Sequence, residues 1–158
     1  MLLPTLAKII SGSPGRVSEY LGDGVLAFYR TSAGKEDEVV VSARQTAEKC
    51  IQSVVDIINP MLKMKYGIPP MAIGVGIAKG QGIVQMVGLP EYQVPKVFGR
   101  PVFLASKLCG QVNNVMLDEL AKGAWPKVKS GSNPVVRFSD RSVNAKGENV
   151  KGYCMEYL

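Results

Sequence analysis

Histidine does not occur in this 158-residue chain. Its absence rules out a Ser-His-Asp or Cys-His nucleophilic unit, and with them a zinc site built on imidazole ligands. Cysteine is scarce as well. Cys50, Cys109 and Cys154 are odd in number and far apart, which argues against a disulfide framework or a thiolate zinc site and points to a reducing, cytoplasmic setting. No apolar run approaches the ~20 residues of a membrane-spanning helix. Met1 to Ile10 is apolar but has neither a basic leading segment nor a small-residue cleavage site, so it does not read as a signal peptide. Also missing is any run of Lys and Arg interleaved with aromatics: the net charge of +6 is scattered, which disfavours a nucleic-acid platform. A polyphosphate partner or ordinary surface solubility would each account for that charge.

What is present fits one soluble domain. The length matches a single core that buries about 68 to 70% of the unfolded surface, and 46% hydrophobic with 20% charged residues is ordinary globular composition. Leu2 to Ile10 has the apolar density of a helix, closed by Ser11-Gly12-Ser13-Pro14-Gly15. Arg16 to Leu21 and Val25 to Tyr29 alternate as two strands, joined by Gly22-Asp23-Gly24, a hairpin with an acidic tip. Glu36 to Lys65 repeats its apolar residues every three and four positions as one long helix, with a stop or kink at Pro60. Strands are expected over Met71–Ala78, Gly82–Val87, Asn114–Leu117, Val135–Phe138 and Gly152–Tyr157, and a helix from Arg100 or Pro101 through Leu108. Gly88 to Lys96, which carries Pro90 and Pro95, reads as a loop, as does Trp125 to Pro134.

Taken by itself, Asp23 between two glycines is a turn residue, since Asp tolerates unusual backbone angles and bonds its own backbone. Three further stretches follow in order: Ala72-Ile73-Gly74-Val75-Gly76-Ile77-Ala78-Lys79-Gly80, then Gly99-Arg100-Pro101-Val102-Phe103-Leu104-Ala105-Ser106-Lys107-Leu108, then Asn144-Ala145-Lys146-Gly147. Together with the acidic hairpin they resemble, over roughly residues 5 to 158, the catalytic domain of the class III nucleotidyl cyclases, the adenylate and guanylate cyclases. No single motif is specific; their joint order is.

The resemblance implies a fold and a chemistry. The fold is a single cyclase-homology domain over 1–158, an α/β (α+β) sandwich of ferredoxin-like type, with a mainly antiparallel sheet and helices on one face. The family's first strand, which carries a metal-binding Asp, has no counterpart here. The chemistry is conversion of a nucleoside triphosphate to a cyclic nucleotide and pyrophosphate, with Mg²⁺ or Mn²⁺ bridging phosphate oxygens. Asp23 matches the family's second metal Asp. Lys146 matches a late phosphate-contacting lysine, and Lys107 stands at the transition-state arginine, keeping the charge but losing the planar fork. Phe103 stands at the asparagine that orients the ribose, a contact phenyl cannot make, and Ala72 falls where many members carry an arginine. Glu19 and Lys96 match the two base-reading positions but fit neither the adenine nor the guanine pair; they either read an unusual base or bond to each other with no ligand. By resemblance the chain forms a homodimer with composite sites, Asp23 facing the partner's Glu19, Lys96, Lys107 and Lys146. The alternative is a degenerate module that binds nucleotide or a sister domain and regulates.

Overall fold

The computed structural model describes residues 1–127, 136–145 and 147–157. Helix α1 (Leu2–Ser11) leads into the hairpin β1 (Arg16–Leu21) and β2 (Gly24–Phe28), followed by α2 (Glu36–Ser53), a π-helical turn (Val54–Ile58) and α3 (Asn59–Tyr66). Then come β3 (Val75–Ile77), β4 (Ile83–Val87), β5 (Val94–Phe98), α4 (Arg100–Leu108), β6 (Val115–Leu117), α5 (Glu119–Gly123), β7 (Val136–Asp140), β8 (Val143–Ala145), β9 (Glu148–Val150) and β10 (Tyr153–Tyr157). The central sheet has the order β3-β6-β10-β7, with β3 and β6 parallel and the other neighbours antiparallel. Three separate hairpins, β1-β2, β4-β5 and β8-β9, surround it.

Strand β6 explains the layering. Its three residues, Val115, Met116 and Leu117, are all buried, the continuous apolar run of a strand covered on both sides. Because successive side chains point to opposite faces, Val115 and Leu117 pack with Val40 and Ala47 of α2 and Ala121 of α5. Met116 packs the other way, with Leu108 of α4, Val150 and Cys154. Helix α2 thus covers one face and α4 lies against the other. A third cluster joins α1 to the long helical arm through Leu6, Ile10, Cys50, Val54 and Ile58.

The contact between β3 and α4 depends on glycine. A Cβ on Gly76 would land on the Ala105 carbonyl oxygen, and one on Gly74 would meet the carbonyl oxygens of Cys109 and Gln111. Only a residue without a side chain lets the helix backbone approach this closely. The strand of small residues is therefore the seat of α4, the helix that carries Phe103 and Lys107.

The long helix departs from its expected single run in one place. Pro60 has no N–H to offer the turn before it, and immediately upstream the ladder widens into the π turn, with Val54 and Ile58 facing the core at 1% exposure each. Past it, the Asn59 side chain brackets Met71: its Nδ2 donates to the Met71 carbonyl and its Oδ1 accepts the Met71 N–H, both at 2.9 Å. This holds the segment before β3, so ladder pairing there begins only at Val75 rather than at Met71. At the far edge of the sheet, Trp125 meets Phe138 edge-on, ring centroids 6.2 Å apart.

Candidate functional site

The acidic tip of the first hairpin is a two-residue turn. Leu21 pairs with Gly24, leaving Gly22 and Asp23 as the loop, with Gly22 at φ 60°. Positive φ at the first central position suits the twist of the flanking strands and favours glycine there. Asp23 is exposed on this turn and has no hydrogen-bond or ion-pair partner among the described residues.

At Ser18 and Glu19, ahead of the tip, β1 carries a bulge. The register with β2 shifts between Val17 and Glu19, so Ser18 has no ladder partner. A bulge re-aims side chains that would otherwise alternate, and here the neighbours Ser18 and Glu19 both reach β5. Lys96 Nζ donates to Glu19 Oε2 at 2.6 Å, and the Val97 N–H donates to Ser18 Oγ at 3.1 Å. The Glu19 and Lys96 side chains are only 29% and 24% exposed, so the charges are partly shielded from solvent. Lys96 sits on a strand, with Pro95 facing Met86 across the hairpin; the expected loop over Gly88–Lys96 is thus shorter. A proline is tolerated on a two-stranded edge where its missing donor costs nothing.

On α4, Phe103 and Lys107 are one turn apart and so share a face. The Lys107 ammonium lies 5.4 Å from the Phe103 ring centroid, a cation–π contact. Phe103 is itself exposed, at 38%. The N-terminus of α4 is linked to β9 by Arg100 donating to Glu148 Oε1 at 2.8 Å, which sets α4 beside the β8-β9 hairpin. Lys146 lies outside the described residues.

Of the six expected residues, the structure brings four together as two internal pairs, Glu19 with Lys96 and Phe103 with Lys107, and leaves Asp23 apart, Lys146 lying outside the described residues. No hydrogen bond or ion pair joins one pair to the other among the described residues. Nor do the described residues form a group of three or more His, Cys, Asp or Glu able to hold a metal ion. Mg²⁺ demands near-octahedral oxygen coordination, and a lone exposed carboxylate does not supply it. The described residues therefore do not make a metal centre by themselves.

Two polar residues emerge that the sequence motifs do not single out. Ser18 is buried at the bulge, and nothing in its neighbourhood in sequence signals it. Asp118 is a buried carboxylate whose Oδ1 accepts the Ala121 N–H at 2.8 Å and the Lys79 N–H at 3.1 Å. Burial raises its pKa, and the backbone donors partly offset that rise. The order apolar strand, Asp, then Glu-Leu is a helix N-cap signature. Asp118 therefore reads as a structural cap that also fixes the end of β3.

No family model matches the chain. It is 25% identical over 154 residues to an adenylate cyclase of Anabaena cylindrica, an alignment covering 93% of this chain and 29% of that relative. The chain therefore spans less than a third of that protein. Its fold superposes on the adenylyl cyclase CyaB from P. aeruginosa with a TM-score of 0.78 at 20% identity, covering 99% of this chain and 79% of that one. The guanylyl cyclase Cya2 gives 0.76 at 19% identity, with 98% and 76% covered. The motif resemblance and the architecture agree: this chain has the fold of the class III adenylyl and guanylyl cyclase catalytic domains.

Proposed function

We propose that this chain is a cyclase-homology module that binds a nucleoside triphosphate, pairs with a second cyclase domain, and itself makes little or no cyclic nucleotide. The observation that carries the reading is that the side chains at the matched positions are occupied with each other. Glu19 and Lys96, at the base-reading positions, form an ion pair, and Lys107 rests on Phe103.

Supporting it is the chemistry of the replacements. A phenyl at the ribose-orienting position and an ammonium in place of a guanidinium each remove a preorganised contact, and such losses cost about 2–4 kcal/mol of transition-state stabilisation apiece. At about 1.4 kcal/mol per tenfold in rate, the pair lowers turnover by several hundredfold or more. Mg²⁺ or Mn²⁺ is the cofactor this reading implies, arriving with the triphosphate, and Asp23 is the carboxylate this chain offers to it. Pairing is supported by the apolar surface of β4-β5, where Ile83 and Leu89 are each 69% exposed; an isologous twofold dimer would bring two such surfaces to one interface.

The test is product detection by mass spectrometry with Mn²⁺ and each of the four triphosphates, comparing the native chain with Phe103→Asn/Lys107→Arg. Trace product from the native chain and more from the double variant are expected. Robust native turnover would overturn the reading. Calorimetry adds the binding arm: affinity for triphosphate that needs Mg²⁺ and falls in Asp23→Ala is expected, and equal affinity in both proteins would remove Asp23 from the site.

A further inference from the structure

The β4-β5 hairpin leaves most of its apolar residues bare, Pro95 and Val97 being half-buried. All five residues of β4 are exposed, and Tyr92 in the connecting loop is 80% exposed. It joins no other strand. Among the described residues, the hydrogen bonds and ion pairs that tie 83–98 to the rest of the chain are two: Lys96 to Glu19, and the Val97 N–H to Ser18 Oγ. Both end on the same bulge.

From this we infer that the Ser18-Glu19 bulge is a latch on the β4-β5 hairpin, and that a nucleotide base binding at Glu19 and Lys96 opens it, so that base occupancy is passed to the partner-facing surface. The opening half rests on the nucleotide-binding reading above; the latch itself does not.

Three features support it. The pair is placed by a bulge, a local irregularity, and would be lost if β1 kept regular alternation. The Val97 N–H points away from β4 and would be an unpaired edge donor without Ser18. And the two charged groups present an acceptor beside a donor, a pattern that a base edge placed between them satisfies in place of the ion pair. Guanine complements them best, since its O6 accepts and its N1–H and N2 amino group donate. One base thus replaces the direct ion pair with three hydrogen bonds of its own, leaving the Val97 N–H to Ser18 Oγ bond as the remaining direct tie between β1 and β5 among those described.

Hydrogen–deuterium exchange read over 83–98 tests both halves. Without nucleotide, Lys96→Met should speed exchange there by about threefold or more, the scale of a modest ion pair, with exchange in β6 and β10 unchanged. The charge-swapped Glu19→Lys/Lys96→Glu should restore slow exchange. Exchange in Lys96→Met equal to the native protein overturns the latch, as does a charge swap that stays fast while Lys96→Met is also fast. GTP with Mg²⁺, at a concentration shown by calorimetry to saturate the native protein, should speed exchange over 83–98 in the native protein and have no further effect in Lys96→Met. Saturation without that change overturns opening by the base. Absence of GTP binding instead overturns opening by guanine, absence of binding by all four triphosphates overturns the nucleotide-binding reading as well, and the latch then stands or falls on the variants alone.

Discussion

At the scale of single residues, burial decides which groups can react. Cys50 is buried, and desolvation pushes its thiol up to about 11, so almost no thiolate exists near neutral pH. Cys154 is buried too, its Sγ–H donating to Asn114 Oδ1 at 3.2 Å, whereas Cys109 is exposed. Iodoacetamide at pH 8 should therefore label Cys109 alone in the folded protein and all three cysteines in denaturant; mass spectrometry of the tryptic peptides reads the outcome, and fast labelling of Cys50 without denaturant would contradict this burial. Asp118 offers a second check. Its raised pKa means the ionised form is penalised in the folded state, so this group's contribution is favourable at low pH and is lost as pH rises through its folded pKa. Asp118→Asn keeps an oxygen for both N–H donors and drops the charge, whereas Asp118→Ala orphans them and should cost about 1–2 kcal/mol. In urea titrations the native protein should gain on Asp118→Asn as pH falls from 7 towards 4. Glu19 and Lys96 could be named from the sequence as candidate positions. Their pairing was legible only as one of two options, because the bulge that turns Glu19 towards Lys96 leaves no mark in the local sequence.

At the scale of elements, the sequence shows helices and hairpins most plainly where periodicity runs unbroken. Strand β1 and helix α4 stand where alternation and the Pro101 start place them. Strand β5 was hidden by Pro95, whose lack of a donor argues against a strand unless that strand lies at an edge. Helix α5 and the short β8-β9 pair are too brief for a periodic signal. The seat of α4 on β3 yields the prediction that belongs here. Gly76→Ala drives a methyl into the Ala105 carbonyl oxygen, and because backbone rather than a flexible side chain must yield, a loss of about 2–3 kcal/mol is expected. Gly123 at the end of α5 has nothing within 4 Å of its would-be Cβ, and its replacement by Ala should be neutral or stabilise by about 0.5 kcal/mol. Denaturant midpoints of the two variants, compared at equal slope, decide it; equal midpoints would remove the tight seat.

At the scale of the whole molecule, the question is what covers the exposed hairpin. Ile83→Asp and Leu89→Asp place charge on side chains that the single chain leaves in water, so the monomer's far-ultraviolet circular dichroism should not change. Self-association should weaken at least about tenfold in either variant, a change of about 1.4 kcal/mol. Sedimentation velocity over a concentration series would show it, and association indifferent to both substitutions would assign the interface elsewhere. The mixed fold itself was legible from the order of four motifs, but the cover on both faces of β6 was not, since Val115-Met116-Leu117 reads alike as a half-buried or a fully buried strand. The edge-on stack of Trp125 against Phe138 bears on how all of this is observed. Trp125 is the chain's single tryptophan, and it sits on the β7 side of the sheet rather than among the residues of the β1 bulge and the β4-β5 hairpin. Its emission is therefore an optical gauge of the central sheet alone: it should follow global melting in one sigmoid and stay dark to any movement of the hairpin.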